Sequence, residues 1–356
     1  MRGHRILVWG LSNNRAGTES VIENYSMALP ELSFDYLCYD YPDNHQGLLH
    51  NGDNRFFVIP VKIKSPLRYK RALSSFMHDH GEEYSSLWFN INDVSNIDLL
   101  VEAAKYGIER RITHMHNAGM PDSLITQVFS RLNWGKCLQL TTDRWACSKV
   151  AGEFLYGKSE FSIVPNMVDV RRVSFSKEKR EKLRSGFGIG DSMVIGSIGR
   201  FEPQKNYGFL ISVLERLVNQ GKDAVLLLVG KGSQQEEIVS LAERAGMVDR
   251  VILVGPQDDV QSFYSAFDVA VYPSLYEGLS LAIVEAQFNG LPCVLSETIS
   301  RETVISDGVE FASIENAQDW VSKISQSKRA NASLVKAKAE RFDISNIRTE
   351  AARLFL

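Results

Sequence analysis

Short apolar runs, each followed by a turn and then by a segment of helical periodicity, recur along this chain and constrain its fold more than any other feature. The clearest are Ile6–Leu11, Val194–Ile198, Ala224–Val229, Val251–Val254, Val269–Tyr272 and Pro292–Leu295. Runs this short, rich in Val, Ile and Leu and lacking in/out alternation, suit parallel strands covered on both faces. Between them, Gly208–Asn219 and Gln234–Ala245 carry apolar residues at helical spacing. The alternation predicts a doubly wound α/β architecture.

The pattern occurs twice, and 356 residues is too long for one core and comfortable for two. The first half closes at Ile163-Val164 and a Pro165-Asn166 break, with the linker expected near Met167–Val173. Arg171–Gly190 is a charged, strand-poor stretch, and a new strand-loop-helix begins at Met193. We expect one Rossmann-like domain over 1–168 and another over 169–342, with a C-terminal helix at about 343–356 packing back on the first. Two such domains facing each other across a cleft set their strand carboxyl ends, where ligands of these sheets bind, opposite one another. One domain then serves a nucleotide-containing donor and the other an acceptor.

Composition narrows the function classes. A net charge of -3, with no single-sign tail, argues against nucleic-acid binding. Cys38, Cys137, Cys147 and Cys293 form no CxxC pair and no metal-ligand spacing with His, which fits a reduced, cytoplasmic chain. The N-terminal apolar run, Ile6–Leu11, breaks into Ser12-Asn13-Asn14-Arg15, short of the roughly 7–15 residues of an export signal. No stretch approaches the ~18 apolar residues of a membrane span, so any membrane contact is expected to be peripheral.

The strongest local signal is Tyr272–Ala286, in which a strand ends at Pro273, a Gly-containing loop follows, and a helix starts near Ser280. The backbone N–H groups of Gly278, Leu279 and Ser280 at that helix start form an anion site backed by the helix dipole. Within the helix, Leu281, Val284 and Phe288 make an apolar stripe. Glu285 lies only about 40° from Leu281 on the helical wheel. A carboxylate beside an apolar stripe is costly unless something hydrogen-bonds it. Glu277, eight residues earlier, lies at the loop mouth. Two carboxylates with an anion site between them suit a ligand made of hydroxyls, a diphosphate and more hydroxyls, such as a sugar nucleotide. Read singly, Glu277 is instead a cap of that helix and Glu285 a partner for a neighbouring Lys or Arg. A second loop, Gly196–Asn206, puts Arg200 and Lys205 at strand ends, a suitable pair for a departing diphosphate. The Gly230-Lys231-Gly232-Ser233 turn lacks phosphate-loop spacing and reads as a strand-to-helix turn.

These residues resemble those of retaining glycosyltransferases of family 4, which have the GT-B fold. Glu277 and Glu285 form an EX7E motif, supported by GRFEPQKN, LLLVGKGSQQEEI, DVAVYPSLYEGLSLAIVEAQFNGLPCVLS and ACS…VPNMVD. The wording EGLSLAIVEAQFNGLPCVLSETIS is similar to bacterial capsular and exopolysaccharide transferases of the EpsF-like group. The resemblance implies that Arg200 and Lys205 bind the donor diphosphate and that Glu277 holds donor-sugar hydroxyls. It implies further that Gly278, Leu279 and Ser280 meet the phosphate and that Glu285 binds the ribose. It implies no metal and no cofactor beyond the nucleotide-sugar substrate. Asp258 and Asp259 read as helix N-caps before Val260–Phe267, not as metal ligands.

The first half matches more loosely. Gly17 follows Ala16 where relatives carry a Gly-Gly pair, and still permits close backbone approach to the donor. His114-Met115-His116-Asn117 resembles the family's HxHN segment, which places His116 near the reacting centre and His114 in a buried, supporting role. The segment Val61–Arg71 holds five basic residues with apolar neighbours, so Lys62–Arg71 is either a face for anionic lipid or a solvated loop and helix start.

The resulting expectation is a metal-independent, retaining hexosyltransferase that takes a UDP-linked sugar to a saccharide acceptor, lipid-linked, in capsular or exopolysaccharide synthesis. It is placed in the cytoplasm, at the inner membrane face. The alternatives are a sugar-nucleotide epimerase or hydrolase on the same fold, and a non-catalytic nucleotide-binding partner of another transferase.

Overall fold

The computed structural model describes residues 5–12, 17–43, 45–49, 53–121, 123–257, 259–277, 279–329, 337–344 and 355. The chain divides into two compact units, Met1–Met167 with Ile344–Leu356, and Val168–Asp343.

In the first unit the elements run β1 (Arg5–Trp9), α1 (Gly17–Ala28), β2 (Ser33–Cys38), α2 (Gln46–Leu49), β3 (Arg55–Val58), α3 (Pro66–His80) and β4 (Tyr84–Ile91). They continue as α4 (Asp98–Lys105), β5 (Arg110–Met115), α5 (Leu124–Leu140), β6 (Asp143–Ala146), α6 (Lys149–Tyr156) and β7 (Ser162–Ile163). The seven strands form one sheet in the order β3-β2-β1-β4-β5-β6-β7, and each pairing is parallel. The order reverses between β1 and β4, the position where open α/β sheets bind ligands.

The second unit contains α7 (Lys177–Gly186), β8 (Met193–Ile198), α8 (Tyr207–Asn219), β9 (Ala224–Val229), α9 (Gln235–Arg244) and β10 (Val251–Val254). After these come α10 (Val260–Ala266), β11 (Val269–Tyr272), α11 (Leu281–Phe288), β12 (Cys293–Ser296), β13 (Val309–Ala312) and α12 (Ala317–Gln326). The six-stranded sheet has the order β10-β9-β8-β11-β12-β13 and reverses between β8 and β11. All of its pairings are parallel.

Burial on both faces explains the uninterrupted apolar strands. On β9, Ala224, Leu226 and Leu228 join a cluster with Leu214 and Trp320. Its alternate residues Val225, Leu227 and Val229 pack with Phe263 and Phe267 on the opposite face. In the first unit Trp88 lies 6.4 Å from Phe34 and 5.8 Å from Tyr25, centroid to centroid. Phe355 closes this cluster at 5.0 Å from Trp88 and 5.3 Å from Trp145, so the chain end contributes to the first core. Asp35 is wholly buried between Arg5 and Arg55, whose Nε groups donate to it at 2.9 and 3.0 Å. Burial opposes the charge on Asp35, but the paired guanidiniums more than offset this and hold the carboxyl below its ordinary range.

Several local readings change. The first strand ends at Trp9, because Gly10 turns the chain out at φ 108°. The charged, strand-poor stretch after the linker contains α7, and Arg184 on that helix reaches Asp268 at 3.1 Å and the Ala266 carbonyl at 3.1 Å. The helix after Ser280 is buried on more than one stripe, with Ile283, Ala286 and Gln287 as enclosed as Leu281, Val284 and Phe288. Lys62 does not belong to an exposed basic face: its Nζ pairs with Asp98 at 2.7 Å and donates to Asn96 at 3.1 Å. All four cysteines are buried free thiols. Among the described residues no helix is long and apolar enough to cross a membrane.

Candidate active site

The loops after β8 and β11 flank the reversal of the second sheet, and hydrogen bonds stitch them together. Pro203–Lys205 form one 3-10 turn, and Asn206 adopts a left-handed conformation (φ 53°) ahead of α8. Asn206 Nδ2 donates to the Pro273 carbonyl at 3.3 Å, and Gln204 Nε2 donates to that of Tyr276 at 2.8 Å. Leu275 N–H returns a bond to the Gln204 carbonyl at 2.8 Å. The loop after β12 joins through Thr298, whose hydroxyl donates to the Ser274 carbonyl at 2.8 Å.

This framework brings Lys205 and Glu277 together. Lys205 Nζ donates to Glu277 Oε1, which also accepts from Ser274 Oγ at 2.8 Å. Both side chains are largely enclosed, at 13% and 9% exposure, so the pair is poorly screened by solvent. Arg200 stands apart: it is exposed, and its side chain makes no hydrogen bond or ion pair among the described residues. Behind it the Gly230–Ser233 turn packs tightly. A Cβ on Gly230 (φ 144°) would lie 2.0 Å from the Gly199 carbonyl oxygen, and one on Gly232 2.3 Å from that of Phe201. The turn thus backs the Arg200 loop and is a strand-to-helix connection.

Glu285 on α11 takes its hydrogen bond from a residue that sequence reading did not name. Tyr264 Oη donates to Glu285 Oε2 at 2.8 Å. Burial raises the Glu285 carboxyl to about 7, against smaller opposing contributions from Tyr264 and the Arg172 charge. Glu277 is not a helix cap: Ser280 occupies the N-cap of α11, with no side-chain cap bond. Leu279 and Ser280 are buried at this helix start, and Gly278 lies outside the described residues. Asp259 caps α10, its side chain accepting from Ser262 N; Asp258 lies outside the described residues.

In the first unit, His116 follows β5. Its Nε2 donates to Asn90 Oδ1 at 2.9 Å. The Asn90 amide is held by its own bond to the Trp9 carbonyl at 3.1 Å, which sets that orientation. Gly10 accommodates this arrangement, since a Cβ there would meet the Asn90 carbonyl oxygen at 2.7 Å. Burial lowers His116 to about 4, so its ring is neutral around pH 7. His114 is fully buried, bonded to the Val164 carbonyl at 3.1 Å. Gly17 opens α1 and is exposed, and a Cβ there would meet nothing within 4 Å. Residues 13–16 of this loop lie outside the described residues. Asn90 was legible only as a polar residue inside an apolar strand; Tyr264, Ser274 and Gln204 carried no local signal.

Two parallel-sheet α/β units, each with polar side chains gathered where its strand order reverses, define a GT-B architecture, and 192–327 match the sequence profile of the family described as glycosyl transferases group 1. The chain therefore carries a glycosyl transferases group 1 domain and is, by class, a glycosyltransferase. It is 29% identical over 305 residues to the glycosyltransferase named EpsF in Bacillus subtilis (strain 168), covering 81% of this chain and 78% of that one. It is 28% identical over 177 residues to the UDP-Gal:alpha-D-GlcNAc-diphosphoundecaprenol alpha-1,3-galactosyltransferase of Escherichia coli, a match spanning 49% of this chain and 45% of the relative. The fold superimposes on the crystal structure of Anabaena Alr3699/HepE in complex with UDP and glucose with a TM-score of 0.79, at 20% identity and covering 99% of both chains.

Proposed function

We propose that this chain transfers a hexose from a UDP-sugar to a saccharide acceptor carried on a lipid, with retention at the anomeric carbon, in the synthesis of a capsular, exopolysaccharide or related surface glycan. The observation that carries this reading is the Lys205–Glu277–Ser274 cluster between the β8 and β11 loops, at the sheet reversal, with Glu285 on the helix that follows. The UDP and undecaprenol named for the relatives support the donor and the acceptor.

In this reading the second unit binds the donor and the first the acceptor. Arg200 and Lys205 take the diphosphate and stabilise its charge as the glycosidic bond breaks. Glu277 accepts from sugar hydroxyls, Glu285 from the ribose, and the amides of Gly278, Leu279 and Ser280 meet phosphate oxygen. Gly17 lets the backbone approach the donor closely. His116, neutral and oriented by Asn90, faces the reacting centre as a hydrogen-bonding group. The acceptor hydroxyl attacks from the face the diphosphate leaves, and the departing phosphate takes its proton. The reaction needs no metal, and it runs on the cytoplasmic side of the membrane.

The test is a release assay with UDP-glucose and UDP-galactose, with and without an undecaprenyl-diphosphate saccharide, in EDTA. Acceptor-dependent UDP release with an α-linked product supports the proposal. Release without acceptor favours a hydrolase. Full turnover by both Arg200→Ala and Lys205→Ala removes the assigned roles.

A further inference from the structure

Helix α5 is built inside out. Leu124, Ile125, Val128, Phe129 and Leu132 are each between 53% and 77% exposed. At about 100° per residue they cover one arc of roughly 140°. The buried positions of the same helix are Ser130 and Cys137, on the opposite side. A surface helix ordinarily turns its apolar face to the core. Here the inward face is held by polar bonds instead. Asn133 Nδ2 donates to the carbonyls of Val94 and Ser95 at 3.1 and 2.9 Å, and Trp134 Nε1 to that of Leu155 at 3.1 Å.

A second exposed apolar group lies nearby. Ile63, in the turn before α3, and Leu67, in its first turn, are 92% and 73% exposed. The connections β3–α3–β4, β4–α4–β5 and β5–α5–β6 all step the same way across the sheet, so right-handed crossovers place α3, α4 and α5 on one face. The segment 94–98 ties the two groups together. It accepts from Asn133 of α5, and its Asn96 Nδ2 donates to Tyr69 Oη of α3 at 3.1 Å.

The two segments that carry these exposed apolar side chains hold only basic charge, and Asp98 and Glu102 on α4 between them are paired with Lys62 and Lys105. No residue from Ile59 to His78 is acidic, and none in Leu124–Leu140. Lys64, Arg68, Lys70 and Arg71 are exposed beside Leu67, and Arg131 and Lys136 on α5. A second copy of the chain seated on this face would bring like charges together. Anionic headgroups would pair with them while the apolar side chains enter the acyl boundary.

We propose that the exposed apolar face of α5, flanked by the basic start of α3, docks the first unit onto a bilayer rich in anionic phospholipid. Apolar insertion by α5 supplies the hold, and the α3 charges select the lipid. The proposal does not rest on the transfer reaction.

Co-sedimentation of the full chain with vesicles of phosphatidylcholine and phosphatidylglycerol, against phosphatidylcholine alone, tests it. The chain pellets with the anionic vesicles, and added salt weakens this. Leu124→Ser/Leu132→Ser lowers the vesicle affinity by about tenfold or more, since each buried leucine is worth about that factor. Arg68→Gln/Lys70→Gln/Arg71→Gln lowers affinity and flattens the salt dependence. All these positions are exposed, so an unchanged melting temperature certifies the fold. Three results overturn the proposal: wild type remaining in the supernatant, L124S/L132S binding like wild type, or a wild-type dimer in solution that L124S/L132S converts to monomer.

Discussion

Lys205 and Glu277, 72 residues apart in sequence, neutralise each other between the β8 and β11 loops. The pair joins a cation suited to diphosphate with a carboxylate suited to hydroxyls, so each holds the other in place until a ligand offers a better partner. A UDP-sugar supplies both partners at once, whereas UDP supplies only one.

Removing either member leaves a poorly solvated charge. Lys205→Ala is expected to lower the unfolding free energy of the second unit by about 1–3 kcal/mol and kcat by about 10²–10³-fold. Glu277→Gln frees the ammonium, and should strengthen UDP binding while weakening UDP-sugar binding. Calorimetric titration of both ligands into both variants checks the opposite signs. Parallel losses for UDP and UDP-sugar in Glu277→Gln would disprove the exchange.

Glu285 introduces a pH dependence. Its carboxyl is raised to about 7 in the folded chain from an ordinary 4.5. A raised acid binds its proton more tightly when folded, so its stabilising contribution is full below about pH 4.5 and fades as pH rises towards 7. Wild type should lose up to about 3 kcal/mol across that window relative to Glu285→Gln. Urea unfolding of both proteins at stepped pH measures the difference. A nucleotide at about 100 times its dissociation constant adds about 2.7 kcal/mol, and Glu285→Ala should abolish that thermal shift.

His116 behaves in the opposite sense. Burial lowers it to about 4 from an ordinary 6.5. Its contribution to stability is present above about pH 6.5 and is lost as pH falls towards 4. His116→Gln should flatten the acid limb of the first unit's stability by about 3 kcal/mol. Because the ring stays neutral near pH 6, kcat/KM should show no titration there. Nitrogen chemical shifts of His116 that report a protonated ring at pH 6 would count against this account.

Gly230→Ala tests the backing of the Arg200 loop. The position combines φ 144° with a Cβ 2.0 Å from the Gly199 oxygen, so backbone must move. We expect at least about 3 kcal/mol of destabilisation and a loss of donor binding exceeding that of Gly255→Ala, whose Cβ meets nothing within 4 Å. Melting temperatures and UDP titrations of the two variants make the comparison.

The β9 strand, Ala224–Val229, was legible to the residue because an element buried on both faces needs an unbroken apolar run. Repetition of that pattern, with its turns and helices, was enough to identify two doubly wound sheets. The EX7E spacing, within one loop and one helix, marked the candidate site for the same reason: local geometry is written in local sequence. What local sequence cannot carry is which distant group completes a site. Tyr264 on Glu285, Lys205 on Glu277, and Asn90 on His116 meet only once the strands have been ordered. Periodicity also assigns a helix an apolar face without saying which way it turns. On α5 the apolar face points outward, because the polar bonds of Asn133 and Trp134 to neighbouring carbonyls anchor the other side. The partners, and the direction of that face, were decided by packing between elements far apart in the chain.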